Sequence, residues 1–174
     1  MQAAQSRWDM VTIHPGLVLG PSLTTSSHSG SMTTMQHFTD YTLAGGAPAL
    51  QMGVVDVRDV ARAHINAGFT PEASGRYITN AETISFLQIG RILRSSFGFS
   101  FAFPTFEAPK LFIKLAAPVA GLTRKFVDLN VGWPIAFDNS RTVEELGIEF
   151  RPADETVVEH FQQMIDDGLV PGRG

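Results

Sequence analysis

Residues 8–14 (WDMVTIH) place apolar and β-branched side chains along one strand length and then run into Pro15-Gly16. Proline fixes φ and removes a donor, and glycine takes backbone shapes that other residues avoid, so the pair ends regular structure. A buried strand followed by a turn is predicted. Residues 52–55 read as a second, short strand. Asp56 follows where a helix needs an acceptor for its free amide groups, and Asp59 adds negative charge to the first turn. Val57, Val60, Ala61, Ile65 and Ala67 approximate one helical stripe, which Gly68 ends. Residues 76–79 are strand-like, and 85–96 carry a helical pattern through Phe86, Leu87, Ile89, Ile92 and Leu93. Strands separated by helices indicate an α/β chain.

The connecting segments fill in the rest. Ser, Thr and Gly dominate residues 21–31, and their side chains compete for backbone hydrogen bonds, so a loop able to order around a ligand is predicted. A helix over 32–43 is expected to stop at Gly45-Gly46. Past Pro104 two helices are predicted, over 110–120 and 123–130, with Gly121 between them. A strand over 133–137 precedes a short helix capped by Asn139 or Ser140 and ending before Gly147. Asp154 is expected to cap the last helix, whose Val157, Val158, Phe161 and Ile165 repeat at helical spacing.

A chain of 174 residues, 44% of them hydrophobic, is sized for one domain able to bury a core. Its 13 Lys and Arg against 17 Asp and Glu are scattered, so the cationic face that nucleic acid requires is missing. Cysteine is absent, which excludes disulfides, thiolate nucleophiles and cysteine metal sites and suits a reducing compartment. The start, MQAAQSRWDM, has no apolar core of a signal peptide, and a cytoplasmic location is expected. The longest apolar stretch, 111–122, is interrupted by Lys114 and Pro118 and falls short of the roughly 20 residues that span a bilayer. It reads as a buried or lid helix, and no membrane partner is expected. His14, His28, His37, His64 and His160 show no H-x-x-x-H spacing, and no G-x-S-x-G elbow is present, so neither a metal site nor a hydrolase nucleophile is expected.

Four segments in order, HPGLVLGPSL at 14–23, VDVRDVARAH at 55–64, GRYIT at 75–79 and FDNSRTVEELGIEFRP at 137–152, resemble the extended short-chain dehydrogenase/reductase family, also called the NAD-dependent epimerase/dehydratase family. Within it they are most similar to the dihydroflavonol-4-reductase-like branch, and their register fits the C-terminal half of the family. The resemblance implies the C-terminal part of a Rossmann-type fold. The remaining parallel strands, 1–80, would be a remnant of the NAD(P)-binding domain, and 81–174 a mostly helical substrate lobe interleaved with it, together one incomplete domain. It also implies an oxidoreductase that reduces a ketone or aldehyde with NADPH or NADH, NADP being favoured by the reductase branch. The family holds the cofactor pyrophosphate on a glycine-rich turn and works through a Ser and a Tyr-x-x-x-Lys pair. Neither occurs here. Tyr41 and Tyr77 are followed four residues later by Gly45 and Ala81. No catalytic residue is therefore assigned, the chain is expected to be inactive alone, and cofactor binding by it alone is doubtful. The alternative is a non-catalytic truncated product or a module that pairs with a separate Rossmann chain.

By the same resemblance, His14, Pro15, Gly16, Leu17 and Val18 run beside the nicotinamide, Ser29 and Ser31 contact the cofactor phosphates, and Arg58 contacts substrate. Each has a plainer reading. The first five make a structural turn, loop chemistry explains the serines, and helix capping with a surface salt bridge explains Arg58. In the Asn139-Ser140-Arg141 motif an anchor for the lobe and a capped helix are the same thing. Phe101, Phe103, Phe106, Trp133 and Phe137 line an apolar pocket or fill a core. In the family, the first strand pairs with a strand absent here, so an apolar edge is expected to drive self-association.

Overall fold

The computed structural model describes residues 9–23, 29–118 and 123–170. The first strand, β1, spans Val11–Pro15 and pairs in parallel with β4, Gly75–Thr79, from Val11 opposite Gly75 to Pro15 opposite Thr79. The chain does not turn away after Pro15. It resumes as β2, Leu17–Leu19, which pairs in parallel with β3, Gln51–Asp56. On its other edge β3 pairs antiparallel with β5, Glu82–Ser85, a strand absent from the sequence reading. One passage of chain therefore serves two sheets, β1-β4 and β2-β3-β5. Trp8, expected to begin the first strand, lies outside the described residues, as do His28 and Gly121.

The switch between sheets depends on missing side chains. Gly16 donates its N–H to the Thr79 carbonyl at 3.1 Å while passing the backbone of Gly53. A Cβ on Gly16 would lie 2.5 Å from the Gly53 carbonyl oxygen and 3.0 Å from Asn80 Oδ1. Asn139 fixes the same corner by donating from Nδ2 to the Asn80 carbonyl at 2.6 Å.

Helices cover the sheets from both ends of the chain. α1 (Gly30–Gln36) is shorter than the 32–43 helix expected, because Tyr41 takes a left-handed φ of 65° and Asp40 draws the Thr42 amide into a local turn. α2 (Val57–Phe69) is capped by Asp56 as expected, but its stripe is not the predicted one. Asp59 and Ala63 are buried, whereas Val57 and Ile65 are exposed. Asp59 lies in the first turn as expected, and it also accepts from the Arg151 amide at 2.8 Å, 92 residues away in sequence. α3 (Phe86–Phe97) starts in a full capping box between Ser85 and Gln88. α4 (Lys110–Ala116) and α5 (Arg124–Asn130) pack together, with Thr123 capping α5.

Residues 133–137 do not pair as a strand. Pro134 brings no N–H, and the Ile135 amide donates to the Gln51 side chain at 3.1 Å instead of to a neighbouring backbone. α6 (Ser140–Leu146) begins at Asn139, whose side chain does not cap it; Asp138 accepts from the Ser140 amide at 3.0 Å. α7 (Ala153–Asp166) starts after Pro152 with no side-chain cap, and Asp154 accepts only from its neighbour Glu155.

The main core lies where α3 and α7 meet β2-β3-β5, and it settles most of the aromatic alternatives. Phe103 and Phe161 are buried and in ring contact with each other and with the half-buried Phe101. Phe106, Trp133 and Phe137 are exposed. A second, smaller core sets Val11, Ile13 and Tyr77 against Ala63 of α2 and Leu146 and Ile148. No described helix is long and apolar enough to cross a membrane, and no group of three metal-ligating side chains occurs among the described residues.

Gly16→Ala is expected to cost about 1–3 kcal/mol of stability in urea unfolding, since the obstacle is backbone. Gly45→Ala, where a Cβ meets nothing within 4 Å, is expected to change stability by less than about 0.5 kcal/mol. Equal losses at the two positions would refute the crowding argument.

Candidate functional site

Parallel strands end together, and the crevice outside their carboxyl ends is where open α/β sheets hold ligands. Here a groove of about 550 Å³ runs along one face of the β1-β4 ribbon up to that end, lined by His14, Pro15 and Gly16 at the end of β1, Arg76 and Ile78 of β4, and Phe137, Asp138 and Arg141 from the entry to α6. Alternation along β1 turns Val11 and Ile13 into the small core and leaves Thr12 and His14 on the opposite face, where Thr12 Oγ1 and His14 Nε2 lie 3.0 Å apart.

One wall of the groove is held by a buried phenol. Tyr77 donates to Glu145 at 2.6 Å, Arg141 forms a two-pronged pair with the same carboxylate, and its guanidinium sits 4.6 Å from the Tyr77 ring centre. The Arg141 bonds, followed by the Tyr77 hydroxyl, bring the Glu145 carboxyl down to about 2. The bond to Glu145 and then burial raise the Tyr77 phenol. Arg141 also donates to the carbonyls of Ser74 and Arg76, so α6 is tied to β4 along its length. At the strand ends, Thr79 Oγ1 and Asn80 Oδ1 are buried without a hydrogen-bond partner among the described residues.

The expected site residues divide between three places. His14, Pro15 and Gly16 share the groove. Leu17 and Val18 follow directly in β2, which pairs with β3 on one edge and with no strand on the other among the described residues. Ser29 caps α1, its hydroxyl accepting from the Met32 amide at 3.2 Å, and Ser31 lies within that helix; neither lines the groove.

Arg58 is the third place. Its side chain donates to both carboxylate oxygens of Asp56, at 2.8 and 2.6 Å, and to Glu159 of α7 at 2.5 Å. Asp56 is fully buried and also accepts from the Arg58 amide and from Thr156 Oγ1. Burial pushes its carboxyl up, and the Arg58 bonds, the Arg58 charge and Thr156 together outweigh burial and hold it below the ordinary range. This junction joins β3, α2 and α7, and it lies away from the groove lining.

Sequence reading missed Arg76, Ile78, Tyr77, Asn80, Gly53 and Glu145. Arg141 and Glu145 stand four apart on one helix, which is a legible spacing. The others became neighbours only through strand register.

No family model matches the chain. Cinnamoyl-CoA reductase 1 of Petunia hybrida is 31% identical over 182 residues, an alignment covering 98% of this chain and 47% of that protein. Ketoreductase azaE of Aspergillus niger is 32% identical over 170 residues, covering 91% of this chain and 44% of its own length. The chain thus spans about half the length of the curated relatives it matches. Among solved structures, yeast methylglyoxal/isovaleraldehyde reductase Gre2 complexed with NADPH superposes with a TM-score of 0.58 at 22% identity, covering 90% of this chain and 46% of that one.

Asp56→Asn is expected to cost about 2 kcal/mol at neutral pH, because it removes a charge-assisted acceptor and leaves Arg58 to Glu159 alone. Since folding lowers the Asp56 value, its contribution is present above the ordinary carboxylate range and is lost as pH falls through it. The variant's stability should therefore fall less steeply than wild type between about pH 5 and pH 3 in denaturant titrations. Parallel acid limbs would show that Asp56 does not carry this dependence.

Proposed function

We propose that this chain, which belongs to the extended short-chain dehydrogenase/reductase family and matches the C-terminal half of its fold, forms the nicotinamide-side wall and substrate lobe of an NADPH-dependent reductase of a small ketone or aldehyde. The observation that carries the reading is the passage His14–Pro15–Gly16–Leu17–Val18. It crosses from sheet to sheet at the carboxyl ends of parallel strands and leaves one edge of β2 unpaired among the described residues. A nicotinamide carboxamide carries one acceptor and one amide donor group, which suits an open strand edge, and Gly16 lets a flat ring approach the backbone closely. The ring face would supply hydride to the carbonyl carbon. NADP is favoured over NAD because a solved relative holds NADPH.

In this reading residues 1–80 belong to the cofactor side and 81–174 to the lobe. Ser29 and Ser31 lie on the phosphate side of the passage. Arg58 serves mainly to lock α2 to α7, and substrate contact would require it to give up Glu159. The proton is not supplied by either tyrosine of this chain. Tyr77 is buried, bound to Glu145 and raised, which makes its phenol a poorer acid, and no lysine follows it at the required spacing.

A second reading, a non-catalytic module that binds a separate Rossmann half, is favoured by the β1 edge opposite β4, which also pairs with no strand among the described residues. The same edge would support self-association of the chain on its own.

Titrating the purified chain with NADPH and NADH, and assaying a panel of aldehydes and ketones, tests the assignment. Weak or absent binding without turnover is expected from the chain alone, with carbonyl reduction appearing only when a Rossmann half carrying Tyr-x-x-x-Lys is added. Turnover by the chain alone would overturn the reading, and so would a reconstituted pair that binds cofactor but reduces no carbonyl.

A further inference from the structure

The C-terminal helix does more than close the core. Where β2 ends, the Gly20 carbonyl faces His160 Nδ1 of α7 at 2.8 Å, across 140 residues of sequence. Two residues on, Ser22 exchanges a pair of bonds with Gln163: its amide donates to Oε1 at 2.6 Å, and its carbonyl accepts from Nε2 at 2.7 Å. Gln163 thus stands in for a neighbouring strand. Gly20 holds a φ of 104°, and a Cβ there would lie 3.0 Å from Asp56 Oδ2, so the exit of β2 is pressed against the buried carboxylate as well.

His160 is only 6% exposed, and its second nitrogen, Nε2, is buried without a partner among the described residues. Because Nδ1 faces a carbonyl, it carries the hydrogen, and Nε2 is the bare acceptor. The imidazole borders a cavity of about 10 Å³, which is about the room of one water molecule, lined by Ser22, Met32, His160, Gln163, Met164 and Asp167.

We propose that His160 and Gln163 are positioning residues that latch the exit of β2 onto α7, and that adding a proton at His160 Nε2 releases the latch. A cation placed in a one-water cavity must be resolvated, and the contact that can open to admit water is the one between α7 and residues 20–22. Burial works against the proton, and the Gly20 carbonyl only partly offsets it. The charged groups around the imidazole are few. From the β3–α2 junction, Asp56 is held by Arg58 and Thr156; on α7, Glu159 is held by Arg58; Asp167 borders the cavity itself. The β2 side contributes no charge. The consequence for cofactor rests on the reading above, in which the segment after β2 reaches the cofactor phosphates through Ser29 and Ser31.

The test follows two signals in one NMR titration of the chain: the His160 ring resonance, and the protection factor of the Ser22 amide, which corrects for intrinsic exchange. Protection is expected to fall about tenfold between pH 7.5 and pH 5, with its midpoint on the His160 titration. His160→Asn keeps a donor near Gly20 but does not titrate, and its Ser22 protection should stay within about twofold over the range. Gln163→Leu should abolish that protection at every pH. Asp167→Asn separates its charge from that of His160 and should shift the midpoint without removing it. The proposal is overturned if Ser22 protection ignores the His160 titration in the wild-type chain, a reading that needs no variant, or if His160→Asn keeps the wild-type pH dependence. NADPH affinity of the reconstituted pair should follow the same curve. If no NADPH binds at any pH while Ser22 tracks His160, the cofactor reading falls and the latch stands.

Discussion

Two backbones pass within reach of each other at Gly16 and Gly53, and the remainder of the architecture is arranged around that approach. Because no side chain stands between them, one extended segment can leave the β1-β4 ribbon and enter the β2-β3-β5 sheet without a loop. A strand that changes sheets carries its residues from the edge of one sheet to the edge of the next. Asn80, held by Asn139, fills the corner and brings the start of α6 against it. The groove beside His14 therefore owes its far wall to a residue 125 positions later.

Charge is used sparingly, and at joints. Asp56 ends β3, caps α2 and is gripped by Arg58, which reaches on to Glu159 of α7. Glu145 performs a similar task for α6 and β4 through Arg141 and Tyr77. A buried carboxylate such as Asp56 is costly unless several donors surround it, and Arg58 and Thr156 surround it, whereas Glu145 holds its donors at the surface. The two joints add polar ties to the apolar packing that already sets α2, α6 and α7 against the strands. Family likeness extends over both joints, while the segments that would carry the catalytic pair are not in this sequence.

How far the sequence could be read depended on whether a signal was local. Asp56 as a helix cap, Ser85 as the start of α3 and the α4–α5 pair follow from neighbouring residues, and the structure agrees. Errors arose where distant partners overrode local pattern. Val57 and Ile65 fitted a stripe and face solvent, while a buried place on that helix goes to Asp59, bonded to the Arg151 amide. Residues 133–137 have strand composition, yet a glutamine side chain takes the place of the ladder. In the candidate site, His14 to Gly16 were legible from the strand-turn signal and the resemblance. Arg76, Ile78 and Asn80 were not, because only register brings them to the same groove.

The ties from α7 back to the sheet also say something about the order in which the chain can be completed. Thr156 reaches Asp56, His160 reaches Gly20 and Gln163 reaches Ser22 across 100, 140 and 141 positions. Contacts of such separation are slow to close, since the entropy of the intervening loop is lost before they reward it. During synthesis, β2 and β3 emerge long before their last partner. Until α7 arrives, the buried carboxylate of Asp56 lacks Thr156, and the exit of β2 lacks His160 and Gln163. A ribosome-bound chain would keep that seam open until α7 is made, which makes the stretch before α7 the interval in which a chaperone would be of use.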